Sequence, residues 1–325
     1  MNFIKKQLIY GKQYIKNDNF HIVFGIDNDF VRPMGVTMTS IVLNNLEENI
    51  VFHIITKYMN EKGLVYLKNF ANKYNKTIFI YFINDSIFCN LPTTSHITNA
   101  MYNRFLIPEL LKDMTDKVLY LDADIICLNN IMSLKDIIFK NDTIVAVVEE
   151  TNDYVVQTQI NKLGLQRNRY FNSGMLYINI PKWLKFNINN KLLIALREQT
   201  ELKFPDQDVL NIVLENKCQY IDKKYNYTFD VRYKTNRYIY DLPDDIVFLH
   251  YVGRYKPWQK WCMHPLREKF LTYAKQSLWK DIPLDEPKSY KQMKNMGKSY
   301  AIYHHRWKSL YWYLKYTLAK IKSKL

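Results

Sequence analysis

The stretch Val118-Leu119-Tyr120-Leu121-Asp122-Ala123-Asp124 decides how this chain reads. An apolar run with strand character ends in two carboxylates one residue apart. In a strand, residues i and i+2 point to the same side. A short apolar run reads as a buried strand of an α/β sheet. Asp122 and Asp124 then emerge at its C-terminal end, where open α/β sheets bind ligands. Two anions at one spot repel unless a cation joins them. A hard divalent metal, which takes oxygen ligands and carries phosphates, is the fitting cation. A strand followed by a solvated Asp turn is the plainer reading of the same residues.

Outward from this stretch, strand and helix patterns alternate. Strands are predicted at 21–26, 51–55, 77–82, 143–148 and 175–179. Helices are predicted at 33–46, 60–74, 98–111, 181–199 and 206–215. Such alternation implies an α/β fold with a largely parallel or mixed sheet and helices on both faces. At 325 residues and 48% hydrophobic content, the chain can bury a large core, as one big domain or as one domain plus an appendage. A composition shift divides 1–270 from 271–325.

Only 8 glycines occur, with no G-x-G-x-x-G and no G-x-x-x-x-G-K-[ST]. Phosphates, if bound, are then held by a metal and by Lys or Arg side chains rather than by a glycine-rich loop. Cys89, Cys127, Cys218 and Cys262 form no C-x-x-C, which excludes a zinc ribbon or redox pair and suits reduced thiols in a cytosol. The N-terminus lacks a signal-peptide pattern and no run is long enough to span a membrane, so a cytoplasmic location is expected.

Charge is lopsided. Residues 251–325 hold 17 Lys and Arg against 4 Asp and Glu, a net of +13, while the first 250 residues carry only +2. An anionic partner surface follows, either nucleic acid or acidic lipid. The basic residues fall in no nucleic-acid-binding motif, so a basic nucleic-acid-binding protein is the rival reading and no nucleic acid is expected. Within the tail, Trp307, Tyr311, Leu314, Leu318 and Ile321 form one helical stripe beside Lys308, Lys315 and Lys322. That pattern suits a helix lying in a membrane interface. It equally suits a helix packed on the main domain.

Three D-x-D triplets compete for the metal: Asp27/Asp29, Asp122/Asp124 and Asp206/Asp208. Asp27 ends the first strand, and Asp206 opens a helix where it can serve as an N-cap. Only Asp122/Asp124 follows a central-looking strand. His250 closes the apolar run 246–249 and precedes Lys256 by six residues. Imidazole on a metal and ammonium on a phosphate would complete such a site, although a lone His is commonly structural.

These motifs together resemble the retaining glycosyltransferases of family 8, most of all their lipopolysaccharide core glucosyl- and galactosyltransferases. The resemblance rests on 22–27, Tyr102-Asn103-Arg104-Phe105, the Asp122-Ala123-Asp124 stretch, and Tyr170-Phe171-Asn172-Ser173-Gly174. Pro205-Asp206-Gln207-Asp208 and His250-Tyr251-x-Gly253-x-x-Lys256-Pro257-Trp258 complete it, in family order over about 20–262. The tail resembles that subgroup's extension. The resemblance implies a GT-A fold with a single Rossmann-like domain, a mixed, mostly parallel sheet and a small helical basic extension.

It further implies Mn²⁺ or Mg²⁺ on Asp122, Asp124 and His250, with UDP-glucose or UDP-galactose as donor. Asp27 and Asn28 would hold the uridine, with Asp122 near the ribose or sugar. Gly253 and Lys256 would meet the diphosphate. Arg104, Asn172, Asp206 and Gln207 would grip the donor sugar, and His96 would meet the acceptor. Asp206, Gln207, Arg104 and Lys256 are the residues implied in catalysis. The acceptor would be the lipopolysaccharide core, reached from the cytoplasmic face of the bacterial inner membrane with the tail on anionic lipid. A non-catalytic sugar-nucleotide binder is the second alternative.

Overall fold

The computed structural model describes residues 3–12, 19–84, 91, 99–199, 201–232 and 242–323. Its centre is a run of parallel strands: β2 (Phe20–Gly25), β3 (Ile50–Thr56), β4 (Thr77–Ile83) and β5 (Lys117–Leu121). Parallel strands covered on both faces are apolar throughout. Ile22, Val23, Phe24, Phe52 and Ile54 are accordingly all buried. With β1 (Ile4–Tyr10), β7 (Val145–Glu149), β8 (Phe171–Asn179) and β9 (Cys218–Tyr220), the sheet has the order β1-β4-β3-β2-β5-β8-β7-β9. Pairs β4/β3, β3/β2, β2/β5 and β7/β9 are parallel; β1/β4, β5/β8 and β8/β7 are antiparallel. This is the mixed, mostly parallel sheet expected.

A second sheet was not foreseen. β6 (Ile125–Cys127) and β10 (Tyr227–Phe229) flank β11 (Phe248–Tyr251) in the order β10-β11-β6. The chain therefore leaves the main sheet at Asp122 and enters the small one at Ile125. Asp122-Ala123-Asp124 is the joint between them.

The helices depart from expectation in three places. The helix predicted over 181–199 is two, α5 (Ile180–Lys185) and α6 (Ile188–Glu198), because Asn187 between them sits in the left-handed region at φ 51°. The described part of the helix predicted at 98–111 is a run of 3-10 turns over Asn99–Leu106 leading into the short α3 (Ile107–Leu111), and α4 (Asp153–Leu163) was not predicted. α1 (Val31–Leu43), α2 (Glu61–Tyr74) and α7 (Pro205–Leu214) match the pattern closely. Among the described residues no disulfide forms; Cys127 and Cys262 are buried and Cys218 half-buried, while Cys89 lies outside them.

The C-terminal segment is anchored before it becomes helical again. α8 (Arg267–Gln276) packs on α1, and residue 270 falls inside α8. Beyond α8, Trp279 is 2% exposed and stacks on Tyr66. A Cβ on Gly35 of α1 would come within 2.5 Å of its indole, so only glycine admits the ring there. Arg32 binds Asp285 at 2.7 Å. After this anchor, α9 (Tyr290–Ile302) and α10 (Arg306–Lys322) form a hairpin. Ser309 Oγ donates to Gly297 O at 2.9 Å within it, and Ser299 Oγ ties α9 to Trp261 O at 2.5 Å. No helix among the described residues is long and apolar enough to cross a membrane.

Candidate active site

The two sheets bring residues 126 positions apart into one cluster. β6 and β11 run antiparallel with Ile125 opposite His250, so His250 arrives beside Asp124. Tyr251 N donates to Asp124 O at 3.0 Å, and Asp122 N donates to Gly174 O at 2.8 Å, which fixes both ends of the joint. Asp122, Asp124 and His250 each offer one ligand atom, and these atoms lie within 4.8 Å of one another. His250 lies inside a strand rather than after one, with its side chain buried.

The donor set fits a divalent metal. Asp124 Oδ1 is buried without a hydrogen-bond partner, although His250 Nε2 stands 3.2 Å away. An orphaned carboxylate oxygen facing a ring nitrogen is a costly arrangement that a shared cation relieves. Two carboxylates and an imidazole suit Mn²⁺, and carboxylates suit Mg²⁺. The other oxygen, Asp124 Oδ2, accepts from Lys256 Nζ at 2.6 Å, and the same ammonium donates to Tyr251 O at 2.6 Å. Burial alone would raise the Asp124 carboxyl, but the Lys256 ammonium outweighs it and holds the group well below the usual carboxylate range.

Asp122 is braced from the other side. Its Oδ1 accepts from Arg104 Nη2 at 3.0 Å and from Tyr120 OH at 2.6 Å. Arg104 also stacks on the Tyr120 ring, 4.5 Å from its centroid. Its remaining hydrogen bonds go to Met101 O at 3.0 Å and to Ser173 O and Oγ at 2.8 Å each, and Nη1 forms an ion pair with Asp206 Oδ2 at 3.1 Å. The guanidinium thus locks the end of β5, β8 and the start of α7 together. Burial raises the Asp206 carboxyl, and the Arg104 charge offsets part of that rise. Gln207 Oε1 accepts from Ser173 N at 2.9 Å while its Nε2 donates to Tyr170 OH at 3.1 Å. Asp206 is the second residue of α7 rather than its N-cap, which is Phe204, and Asp208 Oδ2 accepts from the Lys203 and Phe204 amides at 2.9 Å.

A cleft of about 180 Å³ opens in front, lined by Asp27, Arg104, Tyr120, Asp122 and Asp124 among others. Asn28 is not part of its wall; its Oδ1 accepts from Asn60 N at 2.9 Å at the start of α2. Asn172 is buried and donates to Glu150 Oε2 at 3.0 Å. Gly253 lies against the Asp230 carboxylate. His96 is outside the described residues. Tyr120, Ser173 and Asn226, which holds His250, were missed in the sequence. Tyr120 was findable, because it sits two residues before Asp122 on the same side of the strand.

The geometry does not stand alone. Residues 21–262 match the family described as Glycosyl transferase family 8, and residues 264–320 match Glycosyl transferase family 8 C-terminal. The chain belongs to glycosyl transferase family 8. Lipopolysaccharide 1,3-galactosyltransferase of Salmonella typhimurium (strain LT2) is 34% identical over 98% of this chain and 96% of its own. Lipopolysaccharide glucosyltransferase WaaO of Escherichia coli (strain K12) is also 34% identical, over 93% of this chain and 91% of its own. The solved structure of galactosyltransferase LgtC with donor and acceptor sugar analogues superposes with TM-score 0.68. At 22% identity over 84% of this chain and 99% of that one, it establishes the shared fold.

One consequence for this family 8 site is directly testable. A Cβ on Gly174 would lie 2.3 Å from His250 Cε1 and 2.9 Å from Nδ1. Gly174→Ala therefore displaces the ring. Calorimetric titration with Mn²⁺ and no donor is expected to show affinity reduced by about tenfold or more, as when a ligand's support is lost. Unchanged affinity would mean that the ring's place at Gly174 is unrelated to metal.

Proposed function

We propose that this protein is a metal-dependent retaining hexosyltransferase of lipopolysaccharide core assembly. It moves glucose or galactose from a UDP-sugar to a core hydroxyl and forms an α-glycosidic bond. The observation that carries this reading is the convergence of Asp122, Asp124, His250 and Lys256 where the chain passes between the sheets. Full-length relatives that carry lipopolysaccharide galactosyl- and glucosyltransferase names support the substrate class.

Asp122, Asp124 and His250 would hold Mn²⁺ or Mg²⁺, which when bound neutralises charge on the departing diphosphate. Lys256, two of whose three N–H donors bind Asp124 and Tyr251, keeps one donor for a phosphate oxygen. Asp27 would take the uridine, with Asn28 behind it. Arg104, Asn172, Asp206 and Gln207 would frame the donor sugar, and Gly253 would border the diphosphate. Gln207 is a neutral amide bonded at both ends, and Asp206 is paired with Arg104. Neither is suited to attack the anomeric carbon. The acceptor hydroxyl then attacks from the leaving-group side, and the departing phosphate oxygen takes its proton. A panel of UDP-sugars with purified truncated core acceptors, with and without EDTA, tests the reading. Hydrolysis or transfer from no UDP-hexose would overturn it.

The tail supports a cytoplasmic enzyme peripheral to the inner membrane. α10 meets α9 through Ser309, Tyr313 and Tyr316. Trp307 is 84% exposed, and Tyr311, Leu314, Leu318 and Ile321 are each more than half exposed. The helix carries five Lys and Arg and no acidic residue. Each basic residue near an anionic bilayer contributes about 1 kcal/mol. Deleting 306–325 is expected to abolish co-sedimentation with anionic liposomes and to leave UDP-sugar binding intact. Equal pelleting of both proteins at low salt would refute membrane docking.

A further inference from the structure

We propose that Asn226 is the positioning residue that fixes the ring tautomer of His250 and thereby leaves Nε2 bare for the metal. The proposal rests on the metal reading above and adds a residue outside every motif used so far. Asn226 is fully buried and ends the 3-10 turn Lys223–Asn226, directly before β10. β10 runs parallel to β11 with Tyr227 opposite Leu249, which carries Asn226 to the His250 ring.

The Gly174 amide can only donate, and it donates to Asn172 Oδ1 at 3.0 Å. Asn172 Nδ2 meets the Glu150 carboxylate, which accepts, at 3.0 Å. Asn172 is therefore oriented twice over, by a fixed donor on one end and a fixed acceptor on the other. Its Oδ1 also faces Asn226 at 2.9 Å, so Asn226 must present Nδ2 there. That leaves Asn226 Oδ1 toward His250 Nδ1, 3.0 Å away. An amide oxygen accepts only, so Nδ1 carries the hydrogen. In the neutral ring Nε2 then holds a lone pair, and that lone pair faces Asp124 Oδ1 at 3.2 Å. Two acceptors opposed in a buried site explain why Asp124 Oδ1 lacks a hydrogen bond. A chain of four side chains, Glu150, Asn172, Asn226 and His250, thus ends in a lone pair aimed where the cation belongs. The same chain links Asn172, placed at the donor sugar, to a metal ligand.

Two readouts test this without relying on turnover. Long-range ¹H–¹⁵N spectra of the metal-free, histidine-labelled protein report the neutral tautomer, with His250 assigned by its absence in His250→Gln. The wild type and Asn226→Asp are expected to show the Nδ1–H form, and Asn226→Leu to lose it. Calorimetry with Mn²⁺ alone is expected to show a loss of about tenfold to a hundredfold in Asn226→Leu. Asn226→Asp, which keeps an acceptor toward Nδ1–H, is expected to recover most of that loss. A wild-type ring in the Nε2–H form overturns the proposal and needs no variant to fold. Wild-type tautomer and Mn²⁺ affinity in a folded Asn226→Leu overturn it as well. A wild type that shows the Nδ1–H form yet binds neither Mn²⁺ nor Mg²⁺ overturns the metal reading itself, and the proposal's link to metal with it.

Discussion

Asp124→Asn is expected to lower kcat/KM by about a thousandfold or more while the protein stays folded. The carboxylate is shared between Lys256 and the cluster, one oxygen to each. An amide cannot serve both. If its oxygen accepts from Lys256, its NH₂ points at the cation; if the oxygen turns to the cation, NH₂ meets the ammonium. Either way an anionic ligand is lost from the group that neutralises the leaving diphosphate, an effect of several kcal/mol. The fold loses about one charge-assisted hydrogen bond, roughly 1.5–3 kcal/mol, which a large core absorbs. Turnover with saturating Mn²⁺, read beside circular dichroism, checks both halves. Activity within tenfold of wild type, or full wild-type activity in excess EDTA, would remove metal from the mechanism.

Lys256→Met separates binding from chemistry. The substitution keeps the stem and removes the charge that sits 2.6 Å from Asp124 Oδ2. Turnover is expected to fall by about a hundredfold, or 2–4 kcal/mol of lost stabilisation of the departing diphosphate. Mn²⁺ affinity is expected to hold or tighten, because the ammonium no longer competes for Asp124. Wild-type kcat in this variant would place Lys256 outside the reaction. A large loss of Mn²⁺ affinity with unchanged kcat at saturating metal would make it a scaffold for Asp124 instead.

The legible parts of this protein are those whose causes are local. β2, β3 and β5 read as strands because both faces are buried and most positions are apolar. β1 does not, since its Lys5, Lys6 and Gln7 are exposed on a sheet edge, and its partner β4 lies nearly 70 residues away. The three-residue strands β6 and β10 are too short to show any period, yet they align His250 with Asp124. The break at Asn187 rests on one residue in an otherwise helical pattern. At the site, the residues that carry charge could be read from motifs. Their supports could not, because Asn226 and Glu150 matter only through a β10/β11 pairing and a hydrogen-bond chain that no spacing encodes. Arg104 shows the same limit. Its type and place were evident, but its engagement with Asp122, Asp206 and Ser173 is a property of three elements meeting.

The buried indole of Trp279 sets where this enzyme can be cut and spliced. The helix beneath it carries Gly35 and, two residues on, Thr37, whose hydroxyl lies 3.1 Å from Ala123 O and 2.5 Å from Ile125 O. One face of α1 therefore receives the C-terminal plug while another grips the backbone of Asp122-Ala123-Asp124. A chimera joined at residue 263, the seam between the two family matches, replaces that plug, and an incoming segment without a tryptophan there would open a void costing about 3–5 kcal/mol. The loosened helix is the one that steadies the carboxylates. Exchange of C-terminal tails between relatives is better made beyond Asp285, where the chain has already been stitched to Arg32 and only the α9–α10 hairpin remains to be traded.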